Sequence, residues 1–326
     1  MKPLRVLITG AAGHVGSSLV YRVAAGDLFG LQQPVILHLY DIDKMLPELQ
    51  GEMMELGDCA FPLLKDVVVT TEIDEAFGDV DVAFLVGAFP RKKGMERRDL
   101  LEANGQIFPA QGKALNDYAN PDVRVVVVGN PANTNCLIAA KNAPDLNPSQ
   151  FTALTRLDHN RGVGMLASKL DAYVSDITRF TIWGNHSGTQ FPDISHALLK
   201  GKPIHDMVDF NWYKDEFIPA VQQRGSEILR VRGMSSTVSA AICTIKHFKS
   251  WYYGTNENDW VSKAIYSTGN SYGIADDLYY SFPVTCDSEF EYTVVDGLEI
   301  NEFCEKMMKI SEQELISERD VIRHLL

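Results

Sequence analysis

Positive charge is scarce in this sequence. Its 326 residues include 30 Lys and Arg against 43 Asp and Glu, which gives a formal net charge of −13. Nucleic acids and anionic membranes both need a broad basic face on the protein that binds them. We therefore expect neither a nucleic acid nor a membrane as a partner, although a local basic cluster can still hold a small anion.

Long apolar runs are missing as well, and cysteine is sparse. No apolar stretch approaches the length that crosses a bilayer. The five cysteines are scattered and contain no CxxC pair, which suits neither a disulfide framework nor a zinc site. The first residues, "MKPLRVLITGAAG", match neither a secretory signal nor an organelle presequence. These features predict a cytoplasmic protein with reduced thiols and no bound metal.

The first half of the chain alternates β-branched runs with helical segments. Strands are predicted at 4–9, 35–40, 66–71, 80–87 and 123–129, and helices at 13–25, 45–56 and 99–119. Alternation of this kind, with nearly continuous apolar strands, is typical of a doubly wound α/β fold around a parallel sheet. The chain length favours two domains. We expect a dinucleotide-binding domain at 1–152 and an α/β substrate domain at 153–326.

The second half has a less regular pattern. Predicted elements are a helix at 158–171, a strand at 177–183, long helices near 212–231 and 236–251, and strands near 261–267, 278–285 and 290–296. The acidic C-terminal segment is expected to be a solvated amphipathic helix. We expect it to pack through Phe303, Met307, Ile310 and Leu315 and to have no functional role.

A glycine-rich turn follows the first strand. Gly10, Gly13 and Gly16 form a G-x-x-G-x-x-G pattern between a strand and a helix. Glycine allows a tight turn and a close approach of backbone N–H groups to a pyrophosphate at the helix N-terminus. A purely structural turn is the competing interpretation, but this context favours a dinucleotide.

An acidic residue then ends the second strand. Asp41 is positioned to accept hydrogen bonds from ribose hydroxyls and to repel a 2′-phosphate, which favours NAD over NADP. A loop aspartate that caps the next helix is an equally good account of this residue alone. The turn also resembles the TGxxGxxG of short-chain dehydrogenases, whose YxxxK dyad lies far down the chain. The YxxxK present here is Tyr40–Lys44, in a position that cannot serve that role.

Candidate catalytic side chains lie in the second half. Asp158 and Arg161 are three residues apart at the start of a predicted helix and so share a face. His186 follows an apolar strand in a loop rich in Gly, Asn and Ser. A histidine oriented by a buried aspartate can carry a proton. The competing interpretations are a local ion pair and a surface histidine.

Two further segments have the composition of binding loops. Val128, Gly129 and Asn130 follow a buried strand, where ligands of such sheets bind, although a simple turn also fits. The segment "GAFPRKKGMERRDLL", residues 87–101, gathers five basic residues in an acidic protein. A solvated surface loop is the simplest interpretation of that segment.

Several motifs taken together resemble one family. "TGAAG", "MELGDCAFPLL", "PRKKGMERRDLL", "VVVGNPANTNCL", "LTRLDHNR", "WGNHS" and "GNSYGIADDLYYSFP" resemble NAD-dependent malate dehydrogenases of the cytosolic type, in the lactate/malate dehydrogenase superfamily. The resemblance extends from about residue 5 to residue 320. It implies a Rossmann domain followed by an α/β substrate domain, NAD as cofactor and a homodimer.

The resemblance also implies roles for individual residues. His186 would be the proton acceptor and Asp158 its orienting partner, while Arg161, Arg91 and Arg97 would bind a dicarboxylate, with Asn130 touching substrate and cofactor. NAD would be held by Gly10, Gly13, Gly16, Asp41, Asn104, Gln111, Val128, Gly129 and Asn130. On this basis Lys92, Lys93 and Arg98 remain solvated charges that steer anions.

The sequence departs from the family pattern at three glycines. Gly16 is often alanine in cytosolic members, and we expect nothing in the mechanism to depend on it. Gly162 and Gly164 occupy a predicted helix, where each costs about 1 kcal/mol relative to alanine.

Three alternatives stay open at this point. A lactate-type dehydrogenase acting on a 2-hydroxy monocarboxylate would be expected to have an uncharged residue where this chain has Arg91. A different NAD(P) enzyme, such as an epimerase or a short-chain reductase, would be expected to have a YxxxK dyad far down the chain, which this sequence lacks. A non-catalytic NAD-binding protein would not need Asp158, His186 and three arginines together.

Overall fold

The structure is a computed structural model that describes residues 1–89, 101 and 103–326. Arg91 and Arg97, together with Lys92, Lys93 and Arg98, lie outside the described residues. The chain divides into two compact units. The first comprises Met1–Ala153, Thr237–Ile245 and Glu318–Leu326, and the second comprises Leu154–Ser236 and Lys246–Ser317.

The first unit contains a parallel sheet. Its strands are β1 (Leu4–Thr9), β2 (Val35–Tyr40), β3 (Leu64–Thr70), β4 (Val82–Leu85), β5 (Arg124–Val127) and β6 (Phe151–Ala153). They are ordered β6-β5-β4-β1-β2-β3, and every neighbouring pair is parallel. The reversal of strand order at β1 confirms the predicted doubly wound α/β fold.

Helices connect these strands. They are α1 (His14–Ala24), α2 (Leu46–Cys59), α3 (Ile73–Phe77), α4 (Phe108–Tyr118) and α5 (Ala132–Lys141). Thr9 pairs with Tyr40 and with Leu85, and Leu85 pairs with Val127. Since these four residues end parallel strands in register, the loops that follow them meet at one edge of the sheet.

The second unit has eight strands among the described residues. They are β7 (Ile177–Thr178), β8 (Thr181–Trp183), β9 (Phe191–Asp193), β10 (Leu198–Leu199), β11 (Lys202–Pro203), β12 (Val261–Tyr266), β13 (Tyr279–Cys286) and β14 (Tyr292–Val294). The pairs β8–β9, β12–β13 and β13–β14 are antiparallel.

The remaining helices are α6 (Arg156–Lys169), α7 (Phe210–Trp212), α8 (Ile218–Arg232), α9 (Val238–Tyr252) and α10 (Glu302–Val321). Residues of α9 and α10 are divided between the two units. Among the described residues, no helix has both the length and the apolar character needed to cross a membrane.

The single strand predicted at 177–183 is wrong, because the chain turns in its middle. Arg179 has a φ of 60°, in the left-handed region, and its backbone N–H donates to Asp259 Oδ1 at 2.7 Å. A left-handed residue interrupts an extended strand. The segment therefore forms β7 and β8 instead of one strand.

The C-terminal helix also presents a different face from the one predicted. Ile310 is 44% exposed, whereas the neighbouring Ser311 and Glu312 are buried. Leu315 is buried as expected, and the Phe303 ring lies 5.9 Å from that of Phe191. The expectation for Ile310 fails because polar side chains with hydrogen-bond partners occupy the buried face, which an apolar pattern cannot reveal.

The two glycines inside α6 have different surroundings. A Cβ atom at Gly162 would lie 2.2 Å from Phe180 Cζ, whereas at Gly164 it would meet nothing within 4 Å. The Phe180 ring is buried and packs against Phe217 with centroids 6.3 Å apart, so it has little room to move. Gly162 is therefore required by packing, and Gly164 is not.

We expect Gly164→Ala to raise the free energy of unfolding by about 1 kcal/mol, because alanine is the better helix former. Gly162→Ala makes the same chemical change two residues away and should lower it by about 1–3 kcal/mol through overpacking. Urea unfolding of the two variants and the wild type checks both. Equal effects of the two substitutions would contradict this account.

A lysine is fully buried in the second unit. Lys263 on β12 is 0% exposed and its Nζ donates to the His247 carbonyl oxygen at 2.6 Å. Burial lowers the pKa of Lys263 from 10.5 to about 8, with the nearby Cys286 opposing and Arg156 reinforcing that change. The charged ammonium is therefore disfavoured in the folded state.

We expect Lys263→Met to stabilise the protein at pH 7 by roughly 2–3 kcal/mol. Below the folded pKa of about 8 both folded and unfolded states are protonated, so the cost of burying the charge is fully present. Between that pH and 10.5 the folded state releases its proton first, wild-type stability rises, and the advantage of methionine shrinks. Urea unfolding at pH 7 and pH 10 measures this difference.

The exposed Lys65→Met serves as the matched control, because its ammonium stays in water. We expect that variant to change stability by less than about 0.5 kcal/mol at either pH. A Lys263→Met advantage that stayed constant or grew as the pH rose would refute the buried-charge explanation.

Candidate active site and dinucleotide-binding edge

The glycine turn after β1 is shaped by two close backbone approaches. Gly10 has a φ of +64°, and a Cβ atom there would lie 2.6 Å from Gly87 Cα. The Gly13 N–H donates to the Gly10 carbonyl oxygen at 3.0 Å, which closes the turn. Glycine is needed at position 10 because both the left-handed conformation and the space exclude a side chain.

Helix α1 begins directly after this turn. Gly13 is its N-cap and makes no side-chain cap hydrogen bond, and no acidic residue lies in the first turn. The N-terminal N–H groups and the positive end of the helix dipole therefore suit an anion. A Cβ atom at Gly16 would lie 2.1 Å from the Gly10 carbonyl oxygen. Alanine would force this turn to shift, so Gly16 matters here more than we expected from the sequence.

Asp41 lies directly after β2, at the same edge as the glycine turn. Its Oδ2 accepts from the Ala12 N–H at 3.2 Å, and its Oδ1 accepts from the Ile42 N–H at 2.9 Å. The carboxylate is thus fixed beside the turn and is only partly buried. This position fits the ribose contact expected from the sequence.

The loop after β5 contributes to the same edge. The Val128 and Gly129 N–H groups donate to the Leu85 carbonyl oxygen at 2.9 and 3.0 Å, and Asn130 is exposed. Asn104 is fully buried; its Oδ1 accepts from Phe89 N at 2.7 Å and its Nδ2 donates to Asn130 O at 3.2 Å. Asn104 therefore supports the backbone of this edge, and its direct contact with NAD stays a prediction.

Gln111 lies on α4 and is also buried. Its Oε1 has no hydrogen-bond partner among the described residues. A buried polar atom left in this way is available to a bound molecule. The glycine cradle, the uncapped helix and this oxygen are all consistent with a dinucleotide.

His186 and Asp158 meet in the second unit. His186 lies in the connection between β8 and β9, and Asp158 lies in the first turn of α6. The His186 Nδ1 forms a short hydrogen bond with Asp158 Oδ2. The Asp158 side chain is 0% exposed and that of His186 is 15% exposed. Nδ1 is the ring nitrogen that the carboxylate fixes, and the ring is held in one orientation by this contact.

Arg161 lies one turn further along α6. Its Nη1 lies 3.1 Å from Asp158 Oδ1, and its Nη2 donates to Ser236 Oγ at 3.2 Å. Burial by itself raises the pKa of Asp158, but His186, Arg161 and a hydrogen bond from Gln190 outweigh it and hold the pKa below its ordinary value. The aspartate is thus kept ionised between two basic side chains.

The cluster can accept and return a proton at one imidazole nitrogen next to a guanidinium. The sequence located the histidine, the aspartate and the arginine, but it missed Gln190 and Ser236. Gln190 stands four residues after His186 and only its placement beside Asp158 reveals it. In the part of the chain that the structure describes, no group of His, Cys, Asp and Glu is arranged to hold a metal ion.

Comparison with known proteins covers both halves of the chain. Residues 4–151 match the NAD binding domain of lactate/malate dehydrogenases, and residues 155–325 match their alpha/beta C-terminal domain. A malate dehydrogenase from Naegleria fowleri is 45% identical, with a TM-score of 0.96, over 100% of this chain and 99% of that chain.

Two structures of Trichomonas vaginalis lactate dehydrogenase are also similar. One contains NADH and oxamate; it is 38% identical, with a TM-score of 0.95, over 99% of this chain and 98% of that chain. The other is the apo form of a variant with arginine in place of a leucine, also 38% identical with a TM-score of 0.95, over 100% and 98% of the two chains. This chain therefore belongs to the lactate/malate dehydrogenase family, as an oxidoreductase that uses NAD.

Proposed function

We propose that the protein is a malate dehydrogenase that catalyses malate + NAD⁺ ⇌ oxaloacetate + NADH + H⁺. The observation that carries this proposal is the contact of His186 Nδ1 with the buried carboxylate of Asp158, with Arg161 on its other oxygen. A 2-hydroxy acid needs a proton acceptor for its hydroxyl and a cation for its carboxylate. This cluster offers both.

His186 takes the hydroxyl proton at Nε2 during oxidation and returns it during reduction. Asp158 keeps the Nδ1 proton in place, fixes the tautomer and stabilises the imidazolium that forms. Bound NAD⁺ supplies the acceptor for the hydride from C2 of malate.

Arginines bind the two carboxylates in this proposal. Arg161 has five N–H donors in a planar fork, and a carboxylate pairs with such a fork in two parallel hydrogen bonds. Arg161 takes the carboxylate next to the reacting carbon. Arg91 takes the distal carboxylate, and Arg97 polarises the carbonyl.

Residues of the first unit hold NAD. The turn of Gly10, Gly13 and Gly16 receives the pyrophosphate at the start of α1, and Asp41 receives the ribose hydroxyls. The fixed carboxylate of Asp41 would repel a 2′-phosphate, which favours NAD over NADP. Asn130 contacts both cofactor and substrate.

A lactate-type dehydrogenase is the second candidate, because the similar structures include lactate dehydrogenases. Position 91 separates the two functions. A monocarboxylate has no distal charge for Arg91 to pair with, whereas a dicarboxylate offers a second carboxylate to that guanidinium. We expect an uncharged residue at position 91 in a lactate-type enzyme and arginine in a malate-type enzyme. One of the Trichomonas vaginalis lactate dehydrogenase structures has a leucine replaced by arginine, which is a substitution of this kind.

Absorbance at 340 nm with oxaloacetate or pyruvate, and with NADH or NADPH, tests the proposal. We expect oxaloacetate with NADH to give the highest kcat/KM. A higher value with pyruvate would favour the lactate-type function. NADH binding without turnover of either substrate would point to a non-catalytic protein.

Arg91→Leu should lower kcat/KM for oxaloacetate by about two to four powers of ten, because it leaves a bound carboxylate unpaired. Lys92→Leu removes the same charge one residue away and should stay within about threefold of the wild type. Steady-state kinetics of both variants measures the difference. If Arg91→Leu also stayed within threefold, Arg91 would not bind the distal carboxylate.

Gly10→Ala should weaken NADH binding by about tenfold or more, which is roughly 1.4 kcal/mol. The methyl group meets the backbone of Gly87, and the left-handed conformation disfavours alanine. Gly57→Ala, where a Cβ meets nothing within 4 Å, is the control and should bind NADH normally. Fluorescence titration with NADH measures both, and unchanged affinity in Gly10→Ala would contradict the pyrophosphate assignment.

A further inference from the structure

The catalytic histidine lies in a short connection whose neighbours are tied to the C-terminal helix. We call residues 184–190 the histidine loop; it joins β8 to β9. Helix α10 presents Ser311 and Glu314 to this loop, one turn apart on the same face. The proposed mechanism uses neither residue.

One oxygen of Glu314 gathers three donors from the histidine loop. Its Oε2 accepts from Asn185 Nδ2 at 2.8 Å and, at shorter distances, from the hydroxyls of Ser187 and Thr189. Asn185 and Ser187 are the residues immediately before and after His186. The carboxylate therefore holds the chain on both sides of the histidine.

Ser311 fixes the start of the same loop. Its Oγ accepts from the Asn185 N–H at 2.8 Å and lies 3.0 Å from Thr189 Oγ1. Ser311 is fully buried, and a Cβ atom at Gly184 would lie 2.1 Å from its Oγ. Gly184 has a φ of +92°, so the loop leaves β8 in a conformation that glycine permits and that brings it against α10.

Ser187 Oγ and Thr189 Oγ1 lie 2.9 Å apart, and one arrangement of the hydroxyl protons directs both hydroxyls at Glu314. Thr189 and Ser187 each donate their single hydroxyl proton to Glu314. Ser311 then donates its own proton to Thr189 Oγ1 and accepts from the Asn185 N–H. Ser187 Oγ accepts from the Thr189 N–H at 3.0 Å. In this arrangement each of the three hydroxyl protons has an acceptor, and the arrangement depends on an acceptor oxygen at position 314.

We propose that Glu314, acting with Ser311, is a positioning residue for His186: it fixes the histidine loop so that the imidazole stays on Asp158. This inference deepens the proposed function and rests on His186 being its proton acceptor. The physical reason is that proton transfer needs alignment, and a displacement of about 1 Å can cost about a hundredfold in rate. Every second residue of the loop from 185 to 189 donates a hydrogen bond to the same oxygen of Glu314. Removing that oxygen therefore removes three contacts that hold the loop.

Glu314→Met is the sharpest variant, because it keeps the length of the side chain and removes both acceptor oxygens, whereas glutamine would retain one acceptor oxygen for the three donors. The control is Glu305→Met, the same change at an exposed position of the same helix. Two readouts apply to both. One is steady-state kinetics of the full-length enzyme with oxaloacetate and NADH. The other is the downfield proton resonance of His186 Nδ1–H, assigned by its absence in His186→Asn.

We expect Glu314→Met to lower kcat by about tenfold to a hundredfold, with the KM for NADH within about twofold of the wild type. The Nδ1–H resonance should shift or broaden, while Glu305→Met should alter neither readout. If kcat stays within threefold of the wild type, or if the resonance is unchanged, the positioning role is overturned. An equal effect of Glu305→Met would overturn it as well.

A second variant covers the case in which Glu314→Met fails to fold by circular dichroism. Ser311→Ala removes the acceptor for the Asn185 N–H and should cause a fall in kcat and a resonance shift of the same kind. The two hypotheses also remain separable. If the wild type does not turn over oxaloacetate, the proposed function fails, while the resonance still shows whether Glu314 controls the contact between His186 and Asp158.

Discussion

The buried carboxylate of Asp158 is the constraint on which the second unit depends. An ionised group taken fully out of water costs several kcal/mol unless charges and hydrogen bonds compensate it. Here the compensation comes from His186 on one oxygen and Arg161 on the other. The aspartate in turn fixes both basic side chains, so the contacts that compensate its burial also orient the imidazole and the guanidinium.

The two units build their sites from different materials. In the first unit the dinucleotide-binding edge consists mainly of backbone: a glycine turn, the start of α1 and strand ends held in register by the parallel sheet. Its geometry follows from the fold and from glycines that exclude side chains. In the second unit the candidate site consists of side chains from separate elements, and each must be held by a further side chain. Ser236 on Arg161 and Glu314 beside the histidine loop are the second layer of that arrangement.

This difference explains which features the sequence could predict. The glycine turn, Asp41 and the parallel strands are local patterns, and the sheet order confirmed the expected fold. The pairing of His186 with Asp158 joins positions 28 residues apart, and only the family resemblance indicated it. Glu314 lies 127 residues from Ser187, so no local sequence pattern predicts the contact between them. For the same reason the sequence wrongly predicts that Ile310 lies on the buried face of its helix. The apolar periodicity does not show that Ser311 and Glu312 are buried with hydrogen-bond partners. Gly162 and Gly164 look alike in sequence, and only the ring of Phe180 distinguishes them.

Lys263 and Asp158 show how one unit treats two buried charges differently. Asp158 has two basic partners, and its pKa stays below the ordinary value despite burial. Lys263 has a carbonyl oxygen and a nearby thiol but no carboxylate among the groups that shift it, and its pKa falls to about 8. A charge that serves a proton transfer must remain a charge throughout the working pH range, and that requires partners of opposite sign. No carboxylate is among the groups that shift the pKa of Lys263, so burial disfavours its charged ammonium. The sign of the pKa change thus distinguishes a buried charge that the site maintains from one that burial tends to neutralise.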